Sequence, residues 1–141
     1  MPPLTRWFIK TSFVYFALSL LVGLVLAAQA SWSFLPSTAA FFPTYFHLLA
    51  EGWISMLIIG VVYWMFPKYS LDRPRRSERM AWASYILLNA GLLLRLISEP
   101  TNTLEAPPVA VWAILLTLAA LLQWLGGMAF VVNSWGRVKE K

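Results

Sequence analysis

His47, Glu51 and Ser55 recur at intervals of four residues within an otherwise apolar stretch, and Arg95 interrupts a second apolar stretch. On an α-helix a spacing of four stacks side chains on one face, so the first three form a polar stripe whose members sit about one turn apart. Ionisable groups in such runs are costly in lipid and are kept for a cofactor, an ion path or a partner. A salt bridge between Glu51 and Arg95, with His47 as a hydrogen-bonding residue at the helix end, is the plainest use of the set. Arg95 reaching outwards to pair with Glu99 is a variant of it. In a third arrangement His47 ligates a metal or a haem iron, and Arg95 neutralises an anionic substituent such as a haem propionate. A guanidinium suits that task because it matches a carboxylate in geometry and stays charged in low dielectric.

Other chemistry finds little support. No Ser/His/Asp set, H-E-x-x-H zinc motif, P-loop or dinucleotide-binding glycine pattern occurs. The absence of Cys removes disulfides, thiolate metal sites, iron-sulfur clusters and thiol catalysis together. A single His cannot assemble a binuclear metal centre within one chain, so the protein is not expected to be an enzyme alone and no catalytic residue is assigned. Asn89 and Gln123 suit interhelical hydrogen bonds, and Gly23, Gly60, Gly91 and Gly127 suit close approach of helices.

The elements that must position these residues are membrane helices. A chain of 141 residues that is 60% hydrophobic and 12% charged is too apolar for a soluble domain of that size. Its apolar runs cover residues 7 to about 29, 44 to 66, 81 to 98 and 109 to 133, each near the roughly 20 residues that cross a hydrocarbon core of about 30 Å. Between them lie an aromatic, Pro-marked loop (Ser31 to Pro43), a charged loop (Pro67 to Arg79) and a Pro-bracketed acidic loop (Glu99 to Pro108). The expected fold is all-α, a single transmembrane domain built as an up-and-down four-helix bundle.

Orientation follows from Lys and Arg, which resist translocation. Arg6, Lys10, Lys68, Arg73, Arg75, Arg76, Arg79, Arg137, Lys139 and Lys141 all fall on one face of such a bundle, which leaves Arg95 as the exception among the 11 basic residues. Both termini are therefore expected in the cytoplasm, with the protein multi-pass in the inner (plasma) membrane. The net charge of +5 is explained by this bias, so no nucleic-acid partner is expected. Trp7, Trp32, Tyr45, Trp64, Trp82 and Trp135 suit the interfacial belt. A secretory signal ending in Ala28-Gln29-Ala30 is the rival reading of the first run, but that run exceeds the roughly 7 to 15 residues of a signal core.

The segment from Phe42 to Trp53, FPTYFHLLAEGW, continuing through Gly60-Val61-Val62-Tyr63-Trp64-Met65-Phe66-Pro67, resembles the second helix of the catalytic subunit of the haem-copper oxidase superfamily. It is most similar to nitric oxide reductases and C-family oxidases. The shared pattern is an outer-side His, an aromatic residue further in, a mid-helix Gly, then an aromatic pair and Pro at the inner end. The resemblance extends over the first four helices of that subunit, although helix two alone carries a specific motif. It implies that His47 is an axial ligand of haem iron, and the residue reading above adds Arg95 and Glu51 as expected cofactor-binding residues.

The family draws its second axial His and its active-site ligands from later helices, and this sequence holds no second His. No Met lies level with His47: Met56 is about 13 Å deeper along the axis, and Met65, Met80 and Met128 map to the inner half. Bis-His ligation then requires a second chain, most simply a two-fold homodimer presenting His47 twice. The leading expectation is a haem b protein serving electron transfer, or an accessory subunit of a respiratory oxidase or nitric oxide reductase. The alternative is a cofactor-free structural or assembly subunit with a Glu51/Arg95 ion pair. The aromatic first loop, with Trp32, Phe34, Phe41 and Phe42, is expected at the membrane interface rather than over a cofactor.

Overall fold

The computed structural model describes residues 1–32, 39–104 and 110–138. Phe34, Val109, Lys139 and Lys141, and the turn proposed to end at Pro108, lie outside the described residues. Within them the chain is helical and has no strand. Four stretches are long and apolar enough to cross a membrane: Pro3–Gln29, Ala39–Met65, Glu78–Thr101 and Ala110–Trp135.

The first span is α1 (Pro3–Ser31), which opens with Pro3 at its first turn, where a missing N–H costs nothing. The second is composite. A short 3₁₀ turn (Ala39–Phe41) leads into α2 (Phe42–His47), a π-helical stretch (Leu48–Ser55) and α3 (Met56–Met65). It ends where Phe66 turns extended before Pro67, as a residue preceding proline prefers. The third span lies in α4 (Glu78–Leu104) and the fourth in α5 (Ala110–Trp135). Ser77 caps the start of α4, its hydroxyl accepting the Met80 N–H at 3.2 Å.

The sequence places the end of the third helix near Ser98, before Pro100, but the helix runs on to Leu104. Pro100 removes one backbone donor, and side chains bind the carbonyls nearby. The Ser98 hydroxyl donates to the Leu94 carbonyl at 2.9 Å and the Thr101 hydroxyl to that of Ile97 at 2.5 Å. Glu99 thereby belongs to the helix and not to a loop.

Contacts between the spans fix their directions. Gly52 faces Tyr15 and Gly60 faces Phe8, so the first and second spans are antiparallel. Thr11 bonds Tyr85 at 2.7 Å and Tyr15 donates to Asn89 at 2.8 Å, so the first and third run parallel. Gly91 meets Ala119 and Gln123, Gly126 meets Leu88, and Ser77 meets Asn133, so the third and fourth are antiparallel. The core between the first three spans is formed by Leu4, Phe8, Tyr15, Leu48, Met56, Ile59, Tyr63, Leu88 and Leu92, whereas α5 packs chiefly on α4.

Two assignments of small and amide residues need correction. Gly127 has no neighbour where a Cβ would sit, and it is Gly126 that brings the helices together. Asn89 does bond across the bundle, but the Gln123 amide nitrogen is buried without a partner, and its aliphatic stem fills the space over Gly91. Of the expected interfacial aromatics, Trp7, Trp32, Trp64 and Trp135 are exposed, while Tyr45 covers Gly23 and Trp82 packs against the core with its ring edge-on to Tyr85.

The end of the bundle carrying the basic segments is closed by reciprocal polar contacts. Asn133 accepts the Ser77 N–H and donates to the Ser77 carbonyl, both at 3.0 Å. Arg76 adopts a left-handed backbone, with φ 63°, and donates to the Val132 carbonyl at 2.6 Å. Arg137, beyond the last span and only 2% exposed, donates to the carbonyls of Pro67, Phe66 and Tyr63 at 3.1, 2.9 and 3.4 Å. These are carbonyls that the end of the second span leaves unpaired.

Candidate functional site

His47 closes the last turn of α2, and the helix widens directly after it. Between Leu48 and Ser55 the backbone bonds reach back five residues, as where the Met56 N–H meets the Glu51 carbonyl; separately, the Ser55 hydroxyl donates to the Ala50 carbonyl at 2.9 Å. A π-helical turn admits an extra residue per turn and is frequent at functional sites. It also breaks the α-helical register, so the stripe expected from a spacing of four does not form as drawn. Ser55 faces outwards, bonded to its own helix.

The third span supplies the partners of His47. Nη1 of Arg95 lies 2.8 Å from Nε2 of His47. A guanidinium has donors only, so Nε2 must accept, and the imidazole proton then sits on Nδ1. That N–H is shared between the Pro43 carbonyl at 2.9 Å and Glu99 Oε2 at 3.2 Å. Oε2 also accepts from the Thr44 hydroxyl at 3.3 Å, while Oε1 lies 3.5 Å from Arg95 Nη1. Glu99 and Arg95 are largely buried, with side chains 10% and 15% exposed, and His47 is more open at 28%. Their i, i+4 spacing on α4 brings the carboxylate and guanidinium together, and antiparallel packing presents both to α2.

Glu51 is not part of this closed set. It makes no ion pair or side-chain hydrogen bond among the described residues, although Arg95 and Tyr15 are near enough to act on it electrostatically. The Glu51/Arg95 ion pair is thus replaced by Glu99/Arg95, the outward-reaching variant of the sequence reading. Thr44 and Pro43 were missed as site residues. The i+4 relation of Pro43 to His47, which puts a carbonyl beside the imidazole, was the available signal. Met56 is buried in the hydrophobic core, away from any ligand role at His47. Phe41 and Phe42 are exposed at the start of the second span.

The donor set suits a haem iron in two respects. The imidazole is oriented by an Nδ1–H bond to a carbonyl and a carboxylate, the second-shell arrangement that directs an Nε2 lone pair to a metal. Arg95 has in addition a buried Nε with no hydrogen-bond partner, which leaves it unused donor capacity for a carboxylate. Opposed to this, Arg95 itself occupies Nε2. No group of three or more His, Asp or Glu side chains able to hold a metal ion forms among the described residues.

The sequence family described as Cytochrome C and Quinol oxidase polypeptide I matches residues 3–141. No curated protein and no solved structure matches the chain.

Proposed function

The chain belongs to the Cytochrome C and Quinol oxidase polypeptide I family, whose first four membrane helices it resembles, and from that premise we propose that it is a multi-pass membrane protein binding haem b through His47. The observation that carries this reading is the imidazole held with its proton on Nδ1 by Pro43 and Glu99, which turns Nε2 towards the third span. Haem bound there supplies reversible one-electron transfer. His47 would ligate the iron, Arg95 would exchange its bond to Nε2 for a propionate, and Glu99 with Thr44 would keep the imidazole oriented. Glu51, without an ion pair among the described residues and within electrostatic reach of Arg95, is assigned to the cofactor surroundings.

One chain offers one imidazole. A six-coordinate iron therefore calls for a two-fold homodimer that presents His47 from each copy, and the physiological role is electron transfer or service as an accessory subunit of a larger respiratory oxidase or nitric oxide reductase. The start of α1, the basic second loop and the end of α5 lie at one end of the bundle, a reading supported by Phe8 against Gly60 and by the Arg137 bonds to Tyr63, Phe66 and Pro67. The positive-inside bias assigns that end to the cytoplasm and the His47 site to the opposite side of the inner membrane.

A second reading rests on the 2.8 Å bond between Arg95 and Nε2. In it the His47, Arg95 and Glu99 network is a permanent clasp between the second and third spans of a cofactor-free subunit. A visible spectrum of protein produced with ample haem separates the two. A Soret band that disappears in His47→Ala supports ligation, whereas a colourless, folded wild-type protein removes it in favour of the clasp.

A further inference from the structure

At the end of the bundle remote from His47, the first turns of α1 form a cleft of about 210 Å³ lined by Pro3, Arg6, Trp7 and Lys10. These positions follow the i, i+3, i+4, i+7 pattern of one helix face. Arg6 and Lys10 are exposed and make no ion pair among the described residues, and Trp7 stands beside them 55% exposed. No acidic residue lines the cleft, and in the basic loop Glu78 is paired with Arg75. The cleft therefore combines uncompensated positive charge with an aromatic ring of the kind that sits at headgroup level.

The same face continues as a bare apolar stripe. Phe13, Val14, Leu20, Leu21 and Leu24 are all more than half exposed, and they extend the line that Arg6 and Lys10 begin. Half of a hydrocarbon core about 30 Å thick is about 15 Å, or roughly ten residues of helix. From Lys10 that distance ends near Leu20 and Leu21. A charged cleft joined to an apolar stripe one leaflet long has the charge and the dimensions of a single phospholipid.

From this geometry we infer that Arg6, Trp7 and Lys10 bind the phosphate headgroup of an anionic phospholipid whose acyl chain lies along Phe13, Val14 and Leu21. Two cations on one face hold the phosphate. Trp7 fixes the depth of the headgroup, and the stripe below selects a lipid over a soluble anion. This surface is independent of the haem proposal, since it shares no residue with the His47 site.

The test is lipid retention by the full chain in mild detergent, read by native mass spectrometry and by thermal shift on titration with phosphatidylglycerol, phosphatidylcholine or inorganic phosphate. Phosphatidylglycerol is expected to remain bound and to stabilise, and phosphatidylcholine is not. Arg6→Gln and Lys10→Gln should each weaken phosphatidylglycerol binding about fivefold, and the pair about 25-fold, the equivalent of about 1 kcal/mol for each basic residue at an anionic surface. Because the single variants are read separately, a double variant that fails to insert does not decide the outcome. Equal stabilisation by inorganic phosphate would overturn the lipid assignment. So would unchanged binding in the single variants, or an equal loss in Arg73→Gln/Arg79→Gln, which would show diffuse charge instead of a site.

Discussion

Arg95 donates to the Nε2 atom of His47 while its own helix neighbour Glu99 accepts from Nδ1, so one imidazole bridges a cation and a carboxylate. Removing the cation takes a positive charge from beside the buried Glu99 carboxylate and a donor from Nε2 of His47. Arg95→Gln is therefore expected to destabilise the protein by about 3–5 kcal/mol, the usual cost of breaking a buried pair from one side. Glu99→Gln in the same chain should recover part of that loss. Unfolding of the single and double variants by denaturant in mild detergent measures the coupling, and strictly additive losses would contradict the network.

The two intramembrane glutamates should separate cleanly. Glu99 accepts from His47 and Thr44 and faces Arg95, whereas Glu51 has no direct partner. Glu51→Gln is expected within about 0.5 kcal/mol of wild type, as for substitutions away from a bonded network. Glu99→Gln should cost more, about 1–3 kcal/mol, because it weakens charge-assisted bonds inside a buried set. Denaturant unfolding of the two variants in mild detergent provides the check.

Helix contacts supply a third comparison. A Cβ on Gly91 would lie 2.8 Å from the Ala119 carbonyl oxygen, a backbone atom that cannot swing aside, and one on Gly127 would meet nothing within 4 Å. Gly91→Ala is expected to push α4 from α5 at a cost of about 1–3 kcal/mol. Gly127→Ala should be neutral, or stabilising by up to about 1 kcal/mol through helix propensity. Thermal unfolding of the two variants distinguishes them, and equal effects would argue against the packing seen between α4 and α5.

Much of this architecture can be read from residue order, because lipid leaves few options. Four apolar runs must be helices, and Pro67 marks the end of the second for a reason visible in one dimension, whereas the third starts at Glu78, three residues before the expected position 81, because Ser77 caps it. The candidate site was legible at His47 and Arg95 for the same reason: charge in an apolar run stands out. Pro100 makes Glu99 read as the start of a loop, yet α4 continues through it to Leu104. Glu51 and Ser55 were placed under His47 by α-helical spacing, which the π-helical stretch alters. Neither the five-residue hydrogen bonds nor the choice between Gly126 and Gly127 leaves a local signature, since both depend on the neighbouring span.

Arg137 provides the last test, at the end of the bundle away from the site. It is nearly inaccessible, its guanidinium serves three carbonyls where the second span ends, and its Cζ stands 6.0 Å from the Phe66 ring centre. Burial pushes its pKa below the ordinary value, partly opposed by the nearby Tyr63. A base whose folded pKa is depressed gains stability only as pH rises from the folded towards the unfolded value, and for a guanidinium that window is far above neutrality. The charge is therefore constant near physiological pH, and so is the contribution of the residue. Arg137→Ala should cost about 1–3 kcal/mol by orphaning buried carbonyls, equally at pH 6 and pH 9. Arg137→Lys should recover less than half, because one ammonium cannot span three acceptors as a planar fork does. Denaturant unfolding at the two pH values checks the magnitude. Hydrogen exchange should quicken at residues 134–138 while the His47 end stays protected, and a loss shared by both ends would show that Arg137 supports the whole bundle instead of this one junction.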